Sequence, residues 1–505
     1  MNSFKKFVSN GLILTVTSLV LRWIGILFNT YISNKLGAEG IGIYSLVQSV
    51  FGFAVTFACS GVNLGTVRMV SEALAGNCYG DVRTALKKCV YYSLFFSSIS
   101  MLFLLFGANF IGIKLVKDIR TVKSIRFLAV SLPFISLSSV FNGYYYAVRR
   151  VYKNSFISIF EEGFQIAITV KILSLFMLKG IEYACVAVAL GTLFSEILSL
   201  SVNYIIFSLD LKKHIKKTEK TSLGLGKKLI SISLPLALSS YARSGLVTIE
   251  HLLIPIGLRK YGASFSESMS VYGLIHGMVF PIIMFPSCIV YSLAGLLVPE
   301  LARFNENMQK NKIDSTVTTV LKYTLIYSIG VAGILICFAY ELSITIYNST
   351  EAYTYIRLFA PLVSVMYLDA AVDGMLKGLN EQIYSMKINI ADASMSVLFV
   401  YFLVPRLGVR GYIISIFVCE IFNCGLSLTR LIKICDPQIS LFKCIFKPVI
   451  CVIISTITIT YMFEITNLTV LTGGQNLFLR IFLTVCLYLI INFTKTKRKK
   501  IASSM

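Results

Sequence analysis

The sequence predicts an all-α polytopic membrane protein with about 14 transmembrane helices. Hydrophobic residues make up 56% of the 505 residues and charged residues only 14%, whereas a soluble domain carries about 25% charged residues. The apolar residues also cluster into blocks such as Leu12–Ile32. A block of about 20 apolar residues crosses a hydrocarbon core of about 30 Å as one helix.

The first apolar block is interpreted as a transmembrane helix and not as a signal peptide. Lys5 and Lys6 precede it, but no small-residue cleavage site follows and Arg22 interrupts the apolar stretch. Blocks of similar apolarity recur along the chain. The fourteen predicted helices have approximate limits at 11–33, 41–63, 89–113, 125–147, 156–178, 184–208, 229–256, 271–298, 319–347, 356–377, 387–404, 411–433, 445–464 and 477–494.

The distribution of Lys and Arg predicts the side of the membrane that each connection faces. Counted over alternate connections, 31 lie on the side of the two termini and 13 on the other side. Since cytoplasmic connections carry the excess of Lys and Arg, we expect both termini in the cytoplasm of a bacterial inner membrane. The net charge of +23 then reflects topology and attraction to anionic membrane lipid, and it does not indicate a nucleic acid partner.

The chain is predicted to contain two six-helix lobes followed by two additional helices. A basic linker at 209–228 separates a lobe at 1–208 from a lobe at 229–433, and residues 434–505 hold two more helices and a basic cytoplasmic tail. Because six is an even number, both lobes enter the membrane in the same orientation. Repeats of this kind are related by an axis along the membrane normal, and such transporters bind substrate near the midplane and alternate access between the two sides.

Short echoes in the same order support an internal repeat. Asn142-Gly143 ends helix four and Asp373-Gly374 ends helix ten, each after a proline within its own helix. Arg22 and Arg243 lie at equivalent positions of helices one and seven.

Charged residues within the predicted helices are candidates for substrate binding, because a cation at a helix centre costs about 2.5–3.5 kcal/mol unless it faces a cavity or a partner. The equivalent positions of Arg22 and Arg243 favour a shared role over two structural ion pairs. Lys171 and Glu196 either contribute to the same cavity or neutralise each other. The central-cavity candidates are Arg22, Arg243, Lys171, Glu196, Glu250 and Asp369.

A second group of residues is a candidate for entry or gating. Asp369 and Asp373 are four residues apart on one face of helix ten, where two carboxylates bind a proton or a cation, and Asp369 lies deeper. Prolines in helix eight indicate a bend beside the cavity or a static kink. The entry or gating candidates are Arg68, Glu72, Glu161, Glu162, Asp373, Pro281 and Pro286.

No enzyme motif is present. The sequence contains no Walker loop, no Gly-x-Ser-x-Gly and no His-Glu-x-x-His. Its 12 cysteines are scattered singly and its three histidines are far apart, which indicates no metal site. We therefore expect a transporter that has no cofactor and draws on proton or sodium coupling, membrane potential or substrate concentration.

Two segments resemble polysaccharide-type flippases of the multidrug/oligosaccharidyl-lipid/polysaccharide exporter superfamily. Ser33 to Tyr44 is similar to the segment that joins their first two helices, and Asn142 to Asn154 is similar to their connection between helices four and five. Fourteen helices split six, six and two resemble the branch that contains stage V sporulation protein B and the lipid II flippases.

The resemblance implies a flippase that moves an undecaprenyl-linked peptidoglycan, spore-cortex or polysaccharide precursor outward, with the last two helices accommodating the lipid tail. It also implies arginines in a cationic cavity, and Arg22 matches the position on helix one. The expected partners are a lipid-linked oligosaccharide or lipid II-like substrate and anionic membrane lipid.

Two other interpretations stay open from the residues alone. A cation-coupled multidrug antiporter would share the fold and depend on acidic residues such as Glu196, Glu250 and Asp369. A non-transporting scaffold for wall-synthesis proteins would tolerate the loss of Arg22 and Arg243.

Overall fold

The computed structural model describes residues 2–75, 79–176, 180–214, 225–438, 440, 442–466 and 473–502. Every regular element within these ranges is a helix, which confirms the all-α prediction. The α-helices are α1 (Asn2–Cys59), α2 (Val62–Ala75), α3 (Tyr79–Asn109), α4 (Thr121–Ala147), α5 (Val151–Phe176), α6 (Ile181–His214), α7 (Leu225–Tyr261), α8 (Phe265–Tyr272), α9 (Phe280–Met284), α10 (Ser287–Glu306), α11 (Lys310–Cys337), α12 (Ala339–Tyr347), α13 (Ala352–Phe359), α14 (Val363–Gly378), α15 (Gln382–Leu407), α16 (Val409–Ile434), α17 (Lys447–Thr466) and α18 (Gly473–Ala502).

Twelve helical stretches of the described residues are long and apolar enough to cross a membrane. One of them, Ile13–Leu74, contains the predicted helices one and two, which separate at Gly37, where φ is 69°. The predicted helix eight is instead divided into two stretches, and α5 and α7 lie at the predicted helices five and seven without being among the twelve. The chain is therefore a multi-pass membrane protein, and fourteen is an approximate count.

The predicted helix eight (271–298) is broken at Pro286, the second of its two prolines. α9 ends at Met284 and α10 begins at Ser287, with Pro286 as its N-cap residue. Two tyrosines satisfy carbonyls beside the break: Tyr367 on α14 donates to the Ile283 carbonyl at 2.6 Å, and Tyr327 on α11 donates to the Pro286 carbonyl at 2.8 Å. Neighbouring helices thus supply the hydrogen bonds that a broken membrane helix needs.

The chain forms two compact units. Unit 1 contains Met1–Phe28, Leu36–Gly273 and Val400–Gly408, and unit 2 contains Asn29–Lys35, Leu274–Phe399 and Val409–Met505. Unit 1 therefore includes α7 and α8, which the sequence assigned to the second lobe. The predicted division into two six-helix lobes was based on the internal repeat of the sequence. These units do not test that repeat, so the division stays a prediction. Residues 215–224 of the predicted linker lie outside the described residues.

The echoed glycines have the same packing role in both units. A Cβ atom on Gly143 of α4 would lie 2.7 Å from the Asn63 carbonyl oxygen and 2.8 Å from Thr66 Cβ on α2. A Cβ atom on Gly374 of α14 would lie 2.6 Å from Ala294 Cβ on α10. Since real Cβ atoms do not come this close, each glycine permits a helix contact that a larger residue would prevent.

Each unit also has an ion pair at the end of a long helix. In unit 1, Asp210 near the end of α6 pairs with Arg150 and, at 2.5 Å, with Lys153. In unit 2, Arg430 near the end of α16 pairs with Glu381 at 2.7 Å. The acidic and basic partners exchange places between the two units.

Candidate functional site

A pair of carboxyl groups lies between α5 and α6 in unit 1. Glu161 and Glu196 are hydrogen-bonded to each other, and Ser199 Oγ donates to Glu161 Oε2 at 2.6 Å. Further along the two helices, Gln165 Nε2 donates to Thr192 Oγ1 at 3.1 Å. Two carboxyl groups hydrogen-bond to each other only when they hold a proton between them. The pair is therefore a candidate for proton binding.

The structure changes the partner of Glu196. The sequence offered Lys171 as a neutralising partner, but Lys171 is exposed, and among the described residues no ion pair joins it to Glu196. Glu161, predicted at the cytoplasmic entry, pairs with Glu196 instead. Glu162 is half-buried beside this pair, within electrostatic range of the Tyr44 hydroxyl.

α7 packs along the second half of α1 through polar contacts. Thr248 Oγ1 donates to the Ser49 carbonyl at 3.1 Å, and Thr56 Oγ1 donates to Ser244 Oγ at 3.3 Å. Further along α7, the Tyr241 hydroxyl is hydrogen-bonded to Ser60 Oγ. These contacts orient the helix that carries Arg243, Glu250 and His251.

The predicted cavity residues of α1 and α7 belong to one unit. Arg22 and Glu250 are half-buried and Arg243 is exposed, all three within unit 1. His251 Nδ1 is hydrogen-bonded to the Tyr272 hydroxyl at 2.7 Å. The binding role of the two arginines stays a prediction.

The two carboxylates of α14 have separate partners. Asn423 Nδ2 approaches Asp369 Oδ2 at 3.5 Å. Asp373 pairs with Lys377 at 2.5 Å and accepts a hydrogen bond from Ser385. Asp373 is therefore neutralised locally.

The predicted pair of Arg68 and Glu72 forms on α2 at 3.2 Å, and Lys228 joins Glu72 at 2.6 Å. The side chains of Arg68 and Glu72 are 64% and 41% exposed. Because solvent screens exposed ion pairs, pairs of this kind add little stability. Stability therefore does not account for Arg68 and Glu72, and their role in substrate entry stays a prediction. Pro281 lies in the first turn of α9, next to the break at Pro286.

A polar network in unit 1 joins the connection before α4 to α1 and α8. Arg120 contacts Asp118 at 2.8 Å and Glu39 at 2.9 Å, and Ser266 Oγ donates to Glu39 at 2.6 Å. The hydrogen bond to Asp118 raises the pKa of the Arg120 guanidinium above its ordinary value. Its charge is thus compensated by two carboxylates.

An apolar groove of about 610 Å³ lies in unit 2 between α10, α11 and α18. The last helix contributes Tyr488, Leu489 and Phe493, and the only charged residue in the lining is Glu300. The sequence did not predict this groove from its residues, because no spacing reveals which helices surround a cavity. No group of three or more His, Cys, Asp or Glu side chains in the described ranges is arranged to hold a metal ion.

The chain is similar to a known protein family and to two sporulation proteins. The model of the polysaccharide biosynthesis protein family matches residues 7–305. The chain is 24% identical to stage V sporulation protein B of Bacillus subtilis (strain 168) over 81% of this chain and 80% of that protein. It is 20% identical to sporulation protein YkvU of the same organism over 73% of this chain and 83% of that protein.

The fold is similar to that of solved transporters. An inward-facing multidrug resistance MATE family transporter of the MOP superfamily matches with a TM-score of 0.65 at 16% identity, over 83% of this chain and 98% of that chain. About a sixth of the present chain lies beyond this match. This likeness describes the fold.

Proposed function

The chain belongs to the polysaccharide biosynthesis protein family, and on that premise we propose that it is an alternating-access flippase for a lipid-linked cell-wall or polysaccharide precursor. The precursor, a sugar carried on a diphosphate and a long isoprenoid tail, moves from the inner to the outer leaflet. The proposed substrate class includes peptidoglycan and spore-cortex precursors.

The apolar groove of unit 2 is the observation that carries this proposal. Its wall is formed by aliphatic and aromatic side chains from α10, α11 and α18, among them Leu293, Ile334 and Leu489. Such a surface suits part of a long isoprenoid tail. α18 belongs to the two helices at 434–505 that extend the predicted twelve-helix repeat.

The head group needs a polar route, because its hydroxyl groups lose hydrogen bonds in hydrocarbon. Unit 1 supplies polar surfaces on α5, α6 and α7, and we assign Arg22 and Arg243 to the diphosphate. A guanidinium binds a phosphate through two parallel charge-assisted hydrogen bonds. With a negative interior, outward movement of each negative charge gains about 2.3 kcal/mol per 100 mV.

The carboxyl pair of Glu161 and Glu196 supports proton coupling within the same proposal. Binding or release of one proton changes the net charge between α5 and α6. The protonation of the pair would therefore follow the pH on whichever side of the membrane it is accessible from. A multidrug antiporter is the alternative that the fold allows, and a wall-synthesis scaffold without transport is the second.

Transport by the purified chain in proteoliposomes tests the proposal. A fluorescent lipid-linked diphosphate sugar is loaded, and an impermeant quencher reports the fraction that reaches the other leaflet. We expect the native chain to accelerate this movement, and Arg22→Ala and Arg243→Ala to slow it. Arg410→Ala removes an exposed arginine outside the proposed site and should have no effect.

The alternatives predict different results in the same vesicles. Uptake of a cationic dye without movement of the lipid-linked sugar would identify a drug antiporter. A folded protein that moves neither compound would support the scaffold.

A further inference from the structure

A second groove lies in unit 1 between α3, α4 and α6. Its volume is about 680 Å³, which is within the range of about 300–1,000 Å³ for ligand pockets. Its walls include Leu137, Phe141, Leu200 and Tyr204. None of the residues assigned to transport above lines it, so it requires a separate explanation.

Two cations lie in the lining of this groove. Arg83 and Lys87 are one turn apart on α3 and therefore share a face of the helix. The lining contains no carboxylate. Arg83 Nε is buried, and within the described ranges it has no hydrogen-bond partner. A buried donor without a partner is costly, so an acceptor supplied by a ligand would stabilise the site.

The groove becomes apolar and aromatic beyond these cations. Tyr91 lies about 12 Å along the helix axis from Arg83, since each residue rises about 1.5 Å. Tyr91 and Tyr204 are 68% and 60% exposed. From the charge distribution, α3 begins on the cytoplasmic side. The cations are then at the inner boundary of the bilayer and the apolar wall is in the hydrocarbon.

Cations at one end of the groove and an apolar wall beyond them match an amphipathic anion. We propose that the groove binds an anionic phospholipid of the cytoplasmic leaflet, with its phosphate at Arg83 and Lys87 and one acyl chain against Phe141 and Leu200. Besides tyrosine hydroxyls, the lining offers only Ser201 as a neutral polar side chain, and its hydroxyl donates to the Ile197 carbonyl at 2.8 Å. The groove is therefore poorly suited to a sugar head group.

Bound lipid would hold α3, α4 and α6 together, so the full-length protein should be more stable with anionic lipid. The test compares phosphatidylglycerol with phosphatidylcholine, using native mass spectrometry to count bound lipid and thermal unfolding to measure stabilisation. We expect one phosphatidylglycerol per chain to be retained and to raise Tm, and phosphatidylcholine to bind less.

The cations provide a matched pair of variants. Arg83→Ala and Lys87→Ala should each weaken phosphatidylglycerol binding about fivefold, the contribution of one cation beside anionic lipid. Lys88→Ala removes the same charge at the next residue, which does not line the groove, and should leave binding unchanged. An equal loss in Lys88→Ala would show general attraction to the membrane and overturn the site.

A second variant blocks the groove without changing charge. Ser201 is exposed, so Ser201→Trp can enter the groove without disturbing the core, and we expect it to abolish retention. Unchanged retention in this variant, or equal binding of the two lipids, would overturn the proposal. Displacement of phosphatidylglycerol by a lipid-linked diphosphate at equal concentration would also overturn it, by identifying a substrate site. These results are independent of transport, so failure here would leave the proposed flippase activity untouched.

Discussion

Glu161 on α5 and Glu196 on α6 are hydrogen-bonded carboxyl groups, with Ser199 donating to the first of them. Two negative charges side by side would repel each other, so we expect the pair to bind a proton. Unit 1 therefore contains a candidate proton-binding pair between two helices. In unit 2, Asp369 and Asp373 have an amide and an ammonium as their neighbours instead.

Neutral substitution of either member of this pair should uncouple transport from protons. Glu161→Gln and Glu196→Gln keep a hydrogen-bonding side chain but do not titrate. We expect movement of the lipid-linked sugar in proteoliposomes to fall to the rate measured without a pH gradient. Glu162→Gln changes a carboxyl next to the pair and is the control. If all three variants retain a full response to the gradient, another group carries the proton.

Loss of Asp210 should destabilise unit 1 more than loss of Glu381 destabilises unit 2. The Asp210 side chain is only 2% exposed and pairs with two cations. Asp210→Asn removes the carboxylate that both cations contact, and we expect a loss of about 3 kcal/mol. Glu381 is 25% exposed and has one partner, so Glu381→Gln should cost about 1 kcal/mol or less. Denaturation in micelles, followed by circular dichroism, measures both, and equal losses would contradict this ranking.

A methyl group at Gly374 should separate α14 from α10. Because the new Cβ would lie 2.6 Å from Ala294 Cβ, we expect Gly374→Ala to cost about 1–3 kcal/mol. Gly425 of α16 has no atom within 4 Å of the position of a new Cβ. Gly425→Ala should therefore be neutral or stabilise the protein by up to about 1 kcal/mol. Denaturation in micelles measures the stability of both variants. A stable Gly374→Ala variant would contradict this expectation and would mean that the two helices move apart at little cost.

A bulky residue in the groove of unit 2 should discriminate between substrates by tail length. Val331 lines this groove, and Val331→Trp fills part of it. We expect loss of transport for a long-tailed precursor and retention for an analogue with a short tail. Leu398→Trp places the same side chain at an exposed position of α15 that does not line the groove. Equal loss for both tails would contradict tail binding in this groove.

Most of the helices could be predicted from the sequence because they are apolar blocks of span length, and the broken helix eight because proline marks it. The pair of Arg68 and Glu72 was also predictable, since residues four apart meet on one helix face. The pairing of Glu161 with Glu196 was not, because it depends on the rotation of two helices about their axes. Neutralisation of Glu196 by Lys171 was one of two alternatives, and it depended on depth alone, which does not determine the face of a helix.

The exchanged ion pairs at the ends of α6 and α16 have a consequence for assembly. Asp210 meets cations in unit 1, while Arg430 meets Glu381 in unit 2. If α6 inserted against the counterpart connection of the other repeat, Asp210 would meet Glu381, and α16 would bring Arg430 to Arg150. Like charges repel in both wrong combinations, and such repulsion is how related surfaces reject incorrect partners. In the predicted repeat, the two halves thus carry opposite charges at equivalent connections, which would disfavour packing of a helix against the wrong half.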